Sequence, residues 1–109
     1  MTNEFALVLT TLPLDMDEGA FARTLVDEGL AACVNIHAPM TSVYRWDEQV
    51  EEDAERQLTI KTTTARLDAL LERIRALHPY EVPEFVVIAI VEGSAEYLEW
   101  MRGATEIGN

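Results

Sequence analysis

The stretch from Thr41 to Thr63 constrains the fold of this chain more than any other. Ser42, Tyr44 and Trp46 share one side of an extended segment, and Val43, Arg45 and Asp47 share the other. Further on, Leu58 and Ile60 alternate with Gln57, Thr59 and Lys61. A period of two marks β-strands, and two such strands in succession pair as an antiparallel hairpin. Between them Asp47 to Glu55 carries six carboxylates and no basic residue, which reads as a solvated turn with its flanks. Arms approaching ten residues would each reach roughly 33 Å at the rise of an extended strand. A helix of equal residue count covers less than half that length. Part of the ribbon must therefore project beyond its own core, or curl back over its own sheet. A projecting ribbon with Tyr44 and Trp46 on one face and open edges favours pairing with further copies of the chain, and closed symmetry limits that growth.

The other elements arrange themselves around this hairpin. Phe5 to Leu9 is a short apolar run that reads as a buried strand. Asp15 and Glu18 form a capping box for a first helix with Phe21 and Leu25 on its apolar stripe, and Gly29 ends it. Leu30 to Ile36 resumes as a strand, which Pro39 interrupts or bulges. Thr64 caps a second helix, whose Leu67, Leu70, Leu71, Ile74 and Leu77 fall on one face. Pro79 stops it, Phe85 to Val91 forms a last strand, and Ala95 to Arg102 a final helix. The order is β-α-β-β-α-β plus a helix. It predicts an α+β, ferredoxin-like sandwich with both main helices on one face of a four-stranded sheet. At 109 residues with no linker or repeat, positions 1–109 read as a single domain.

Charge narrows the function classes. The formal net charge is −12, so a phosphate backbone would be repelled and no nucleic-acid partner is expected. No signal peptide or membrane-length apolar run is visible, and a single cysteine excludes an internal disulfide, which fits a soluble cytoplasmic protein. The acidic run lacks the Asp-x-Asp-x-Asp-Gly pattern that organises oxygen ligands around calcium. There is no glycine-rich phosphate loop, nucleophile elbow or helical pair of histidines, so neither an enzyme nor an organic cofactor is expected.

Five segments then carry a resemblance: Leu30-Ala31-Ala32-Cys33-Val34-Asn35-Ile36, Ser42-x-Tyr44-x-Trp46, Ile60-Lys61-Thr62, His78-Pro79-Tyr80-Glu81-x-Pro83-Glu84 and Tyr97-Leu98-x-Trp100. In this order and spacing, from about residue 6 to residue 102, the chain resembles the CutA family of divalent-cation tolerance proteins. The resemblance implies a ferredoxin-like protomer in a cytoplasmic homotrimer, a role in tolerance to copper and other divalent ions, and no defined reaction. The family is also similar to the PII-type signalling trimers. That likeness keeps a second function open, a signalling or interaction trimer with a small ligand between subunits.

Candidate residues follow. Cys33 lies in an apolar setting suited to packing and is the chain's soft donor for copper. His78 closes the second helix, where a cation is favoured and where an imidazole can ligate metal beside Glu81 and Glu84. Tyr44, Trp46, Tyr80 and Trp100 are candidates for an intersubunit cleft or interface, with Lys61 as an anion contact. His37, beside an alanine and close to Pro39, reads as an ordinary loop residue. Two positions depart from members in which copper binding is proposed. Thr10 stands where a cysteine can occur, and Leu77 where a second histidine can precede His-Pro-Tyr.

Overall fold

The computed structural model describes residues 3–106. Along the chain run β1 (Phe5–Pro13), α1 (Glu18–Asp27), β2 (Cys33–Trp46), β3 (Gln49–Thr63), a 3-10 turn (Thr64–Arg66), α2 (Leu67–Leu77), β4 (Val86–Ala89) and α3 (Ala95–Ala104). The strands form one antiparallel sheet in the order β2-β3-β1-β4, the ferredoxin-like topology expected from the element order.

Local chemistry sets the ends of these elements, and several differ from expectation. Asp17, not Asp15, caps α1, its carboxylate accepting from Ala20 N at 3.0 Å. A turn closed by Met16 N on the Pro13 carbonyl occupies the residues between and delays the helix. Gly29 takes φ +70 as the αL stop, which a side chain would strain. The next two amides, of Leu30 and Ala31, turn back to the Leu25 carbonyl at 2.9 and 3.2 Å, so β2 begins at Cys33 rather than Leu30. Thr64 does not cap α2. Its hydroxyl donates to the Asn3 and Glu4 carbonyls, a 3-10 turn intervenes, and the α-helix starts at Leu67. β4 is four residues long, shorter than Phe85 to Val91, because it is an edge strand whose pairing with β1 ends near Phe5.

The core forms where alternate residues of the two central strands meet the helices. Val8, Leu12, Leu58 and Ile60 from β1 and β3 pack with Phe21 and Leu25 of α1 and Leu70 and Ile74 of α2. Both main helices therefore cover one face of the sheet, as expected. α3 lies against one end of the other face, where Met101 packs with Phe5 and Ala32. Two hydrogen bonds from the Arg102 guanidinium to Glu4 help to hold it there, and this pairing keeps the Glu4 carboxyl below its usual range. The rest of that second face stays open, with Val86 and Ile88 48% and 43% exposed.

The hairpin is longer than expected. β2 and β3 pair from Trp46 and Gln49 at the tip, joined through Asp47 and Glu48, both with positive φ. Two consecutive left-handed residues match the right-handed twist of the flanking strands, as in a type I′ connection. Gln49 to Glu55, expected as the flank of a solvated turn, is therefore strand. Register pairing across the ribbon is what holds these carboxylates extended. The expected interruption at Pro39 is a register shift between Ile36 and Pro39. Beyond that shift the ribbon leaves the helices behind, and Val43 and Val50 are among the most exposed apolar residues described.

Candidate functional site

A concavity lies between the hairpin and the segment that follows α2. Pro79 disfavours helical backbone at His78, which turns extended at ψ 139. The imidazole is thereby buried against the sheet. Its Nε2 donates to the Thr11 carbonyl at 2.6 Å, and its Nδ1 accepts from the Tyr80 amide at 3.1 Å. A carbonyl can only accept and an amide can only donate, so these partners select the neutral Nε2–H tautomer. The Tyr80 and Phe21 ring centroids lie 4.6 and 6.4 Å from the imidazole centroid, Phe21 in an edge-on arrangement. His78 thus pins the segment to β1.

With Tyr80 anchored, its hydroxyl donates to Glu55 at 3.3 Å, and Gln57 reaches Glu84 at the same distance. Ser42, Tyr44 and Trp46 stand on the same side of the hairpin as Asp53 and Glu55, which the pairing of Ser42 with Asp53 and of Met40 with Glu55 requires. The outcome is a cleft of about 570 Å³ whose lining includes Tyr44, Trp46, Tyr80, Asp53, Glu55 and Glu84. Among the described residues no basic side chain lines it.

The hydroxyls of both cleft tyrosines are held by carboxylates. Tyr44 donates to Asp53, and that hydrogen bond, more than any other cause, pushes its phenol up to about 12. Burial, then the neighbouring Glu55, raises Tyr80. A raised phenol means that the folded chain holds this proton more tightly than the unfolded one. Tyr44's contribution to stability is thus present below the ordinary value of about 10 and is lost as pH rises through about 12. Asp53→Asn should return the Tyr44 transition towards about 10 in an ultraviolet tyrosine titration. An unchanged midpoint would mean that Asp53 is not the cause.

The expected site residues divide into separate groups. Tyr44, Trp46, Tyr80, Glu81 and Glu84 meet in the cleft. Lys61 and Trp100 belong instead to a cluster with α3: Lys61 Nζ approaches Tyr97 Oη at 3.5 Å, and the Tyr97 and Trp100 rings lie 5.2 Å apart. Cys33 pairs with Lys61 at the start of β2, whereas His78 bonds to Thr11, whose partner is Gln57, four residues back along β3. Among the described residues no three His, Cys, Asp or Glu side chains converge on a point that could hold a metal. His37 lies in β2 rather than in a loop and meets the Thr59 hydroxyl at 2.8 Å. Asp53, Glu55 and Thr11 escaped sequence reading, and Gln57 was read as strand but not as a neighbour of the cleft. Alternation would have revealed Asp53 and Glu55 had the acidic run been read as strand.

The two departures also have places. Leu77 packs against the core. Thr10 is fully buried on the helix-facing side of β1, and its Oγ1 has no hydrogen-bond partner among the described residues. An unmade hydrogen bond at a buried hydroxyl is destabilising. Thr10→Val should therefore stabilise the chain by about 1–2 kcal/mol in denaturant unfolding. Destabilisation would indicate that the hydroxyl has a partner.

A family model, CutA1 divalent ion tolerance protein, matches residues 6–104. The chain belongs to that family. The CutA relatives include "Divalent-cation tolerance protein CutA" of Thermus thermophilus, 50% identical over 99 residues that span 91% of this chain and 96% of the relative. The solved Thermus thermophilus protein superposes with a TM-score of 0.90 at 49% identity, over 94% of this chain and 99% of that one. "Protein CutA 1, chloroplastic" of Oryza sativa is 42% identical over 91% of this chain, which spans 56% of that longer protein. CutA names cover more than one compartment, since a solved protein from Archaeoglobus fulgidus is called periplasmic. They describe tolerance of divalent ions and not a reaction. Among the described residues no helix is long and apolar enough to cross a membrane.

Proposed function

We propose that this CutA-family chain acts in the cytoplasm as a homotrimer of single-domain protomers that responds to divalent cations, copper among them, by binding them and not by catalysis. The observation that carries the reading is the family match over residues 6–104, together with a formal net charge of −12. A copper ion does not fit a closed cage within one protomer: both ring nitrogens of His78 are engaged, and no three donors converge among the described residues. Weak, open coordination is the form that remains. The candidate donors stand apart within one protomer, the half-buried Cys33 thiol at the start of β2 and the Glu81 and Glu84 carboxylates in the cleft, so each set needs completion by a neighbouring subunit. His78 acts as the anchor that places Glu81 and Glu84. Titration with Cu²⁺ at moderate salt should give saturable binding that weakens when Cys33→Ser is combined with Glu81→Gln and Glu84→Gln. Binding that salt abolishes and these replacements leave unchanged would reduce the effect to the general field.

A specific observation favours a second reading, a PII-like trimer with a small ligand. A cleft of about 570 Å³ with aromatic walls falls within the size range of small-molecule sites. A ligand that stabilises the native chain in a thermal-shift screen would support it.

A further inference from the structure

The cleft also bears on the class of ligand it can take, an inference that rests on the second reading. Three properties decide it. The aromatic side chains Tyr44, Trp46 and Tyr80 line it together with the carboxylates of Asp53, Glu55 and Glu84. Among the described residues no lysine or arginine lines it, so an anionic ligand such as a nucleotide would meet uncompensated repulsion. Glu55 is 8% exposed, and its hydrogen-bonding partner is the neutral Tyr80 phenol, with no basic side chain in ion-pair range among the described residues. A carboxylate withdrawn this far from water is favoured by a cationic partner.

Within one protomer, a bare divalent ion matches the charge of the cleft but not its construction. It needs several donors within about 2–2.6 Å of one point, and no three His, Cys, Asp or Glu donors converge so closely among the described residues. The cleft is, moreover, far larger than an ion. An organic cation satisfies both features. Its ammonium or guanidinium group hydrogen-bonds to carboxylates, its charge is attracted to the faces of Trp and Tyr rings, and its carbon skeleton covers apolar surface.

We propose that the cleft between the hairpin and the His78–Glu84 segment binds a small organic cation of the amine or guanidine class. The cationic head lies against Glu55 and Asp53, and the aliphatic part against Tyr80, Tyr44 and Trp46.

The test is calorimetric titration of the full-length protein with 1,4-diaminobutane at moderate salt, with ATP and Cu²⁺ titrated in parallel. The expected result is saturable diamine binding, no ATP binding, and a loss of diamine affinity of about tenfold or more in Glu55→Gln. Glu52→Gln removes the same charge from the opposite side of the ribbon, where Glu52 pairs with Val43, and should leave affinity nearly unchanged. Trp46→Ala should also weaken the diamine, which a purely electrostatic field would not predict. The Gln variant keeps an acceptor for Tyr80, and a thermal melt of each variant confirms that it is folded. No saturation with diamine would overturn the proposal, as would equal losses in Glu55→Gln and Glu52→Gln. Copper binding without diamine binding overturns it too, while leaving the metal-response reading intact.

Discussion

Replacing Ser42–Asp53 by Asn-Gly is expected to turn the proposed homotrimer into monomers while leaving the protomer folded. Thr41 and Ala54 face each other across the hairpin, so a two-residue type I′ turn can rejoin them without changing the register below. The removed ribbon carries Val43 and Val50 on the face away from the cleft, both exposed in the protomer, and the open edge of β2. Full burial of each valine stabilises by about 1.5–3 kcal/mol and the edge offers unpaired backbone groups, so a partner covering them gains enough to hold an assembly. None of the ten residues of the main core lies in the deleted segment. Sedimentation equilibrium should give three times the 12.3 kDa chain mass for the intact protein and about one chain mass for the shortened one. A trimer that survives the deletion would move the interface to the open sheet face around Val86 and Ile88. A monomeric intact protein would remove the assembly altogether.

The second large effect concerns stability. Ile74→Ala should cost about 2–5 kcal/mol, because Ile74 is fully buried between α2 and the strands and its removal leaves a cavity. Leu71→Ala, one position along the expected apolar stripe, should cost clearly less. Leu71 lies outside the core cluster and lines a second, open concavity with Arg75, Val82 and Pro83. Denaturant unfolding of the shortened, monomeric variant would compare the two without coupling to assembly. Equal losses would show that the stripe, and not its depth of burial, governs the stability of α2.

These two helix positions show where sequence reading stops. The 3.6-residue period placed Leu67, Leu70, Leu71, Ile74 and Leu77 on one helix, but full burial is reached only by Leu70 and Ile74. Periodicity reports the direction a side chain takes from the helix axis, whereas depth depends on what the sheet puts opposite. The helix starts show a similar limit. Asp15 and Thr64 are sound capping residues, yet a Pro13 carbonyl turn and the Asn3 and Glu4 carbonyls claimed the local geometry first. Competition among acceptors distant in sequence is not visible in a local pattern.

The candidate site divides along the same line. His78, Tyr80, Glu81, Glu84, Tyr44 and Trp46 were legible because they stand in compact motifs beside prolines and on one strand face. Asp53 and Glu55 were not, because a run of carboxylates reads as solvated turn unless a partner strand extends it. His78 was weighed as a metal ligand, a role its residue type permits. The tertiary fold engaged both nitrogens, through a carbonyl 67 positions away and an amide two residues on.

By itself, then, the sequence determined the element order, the family, the open-ended hairpin and the negative field, since periodicity, proline placement and charge are local or additive properties. Only the tertiary structure decided that the ribbon continues as strand to a turn at Asp47 and Glu48, and that Lys61 and Trp100 stand with α3 rather than in the cleft. It also buried Thr10 without a hydrogen-bond partner among the described residues. Those outcomes depend on which backbone and side-chain groups meet across the sheet, and long-range register is a property of the whole fold.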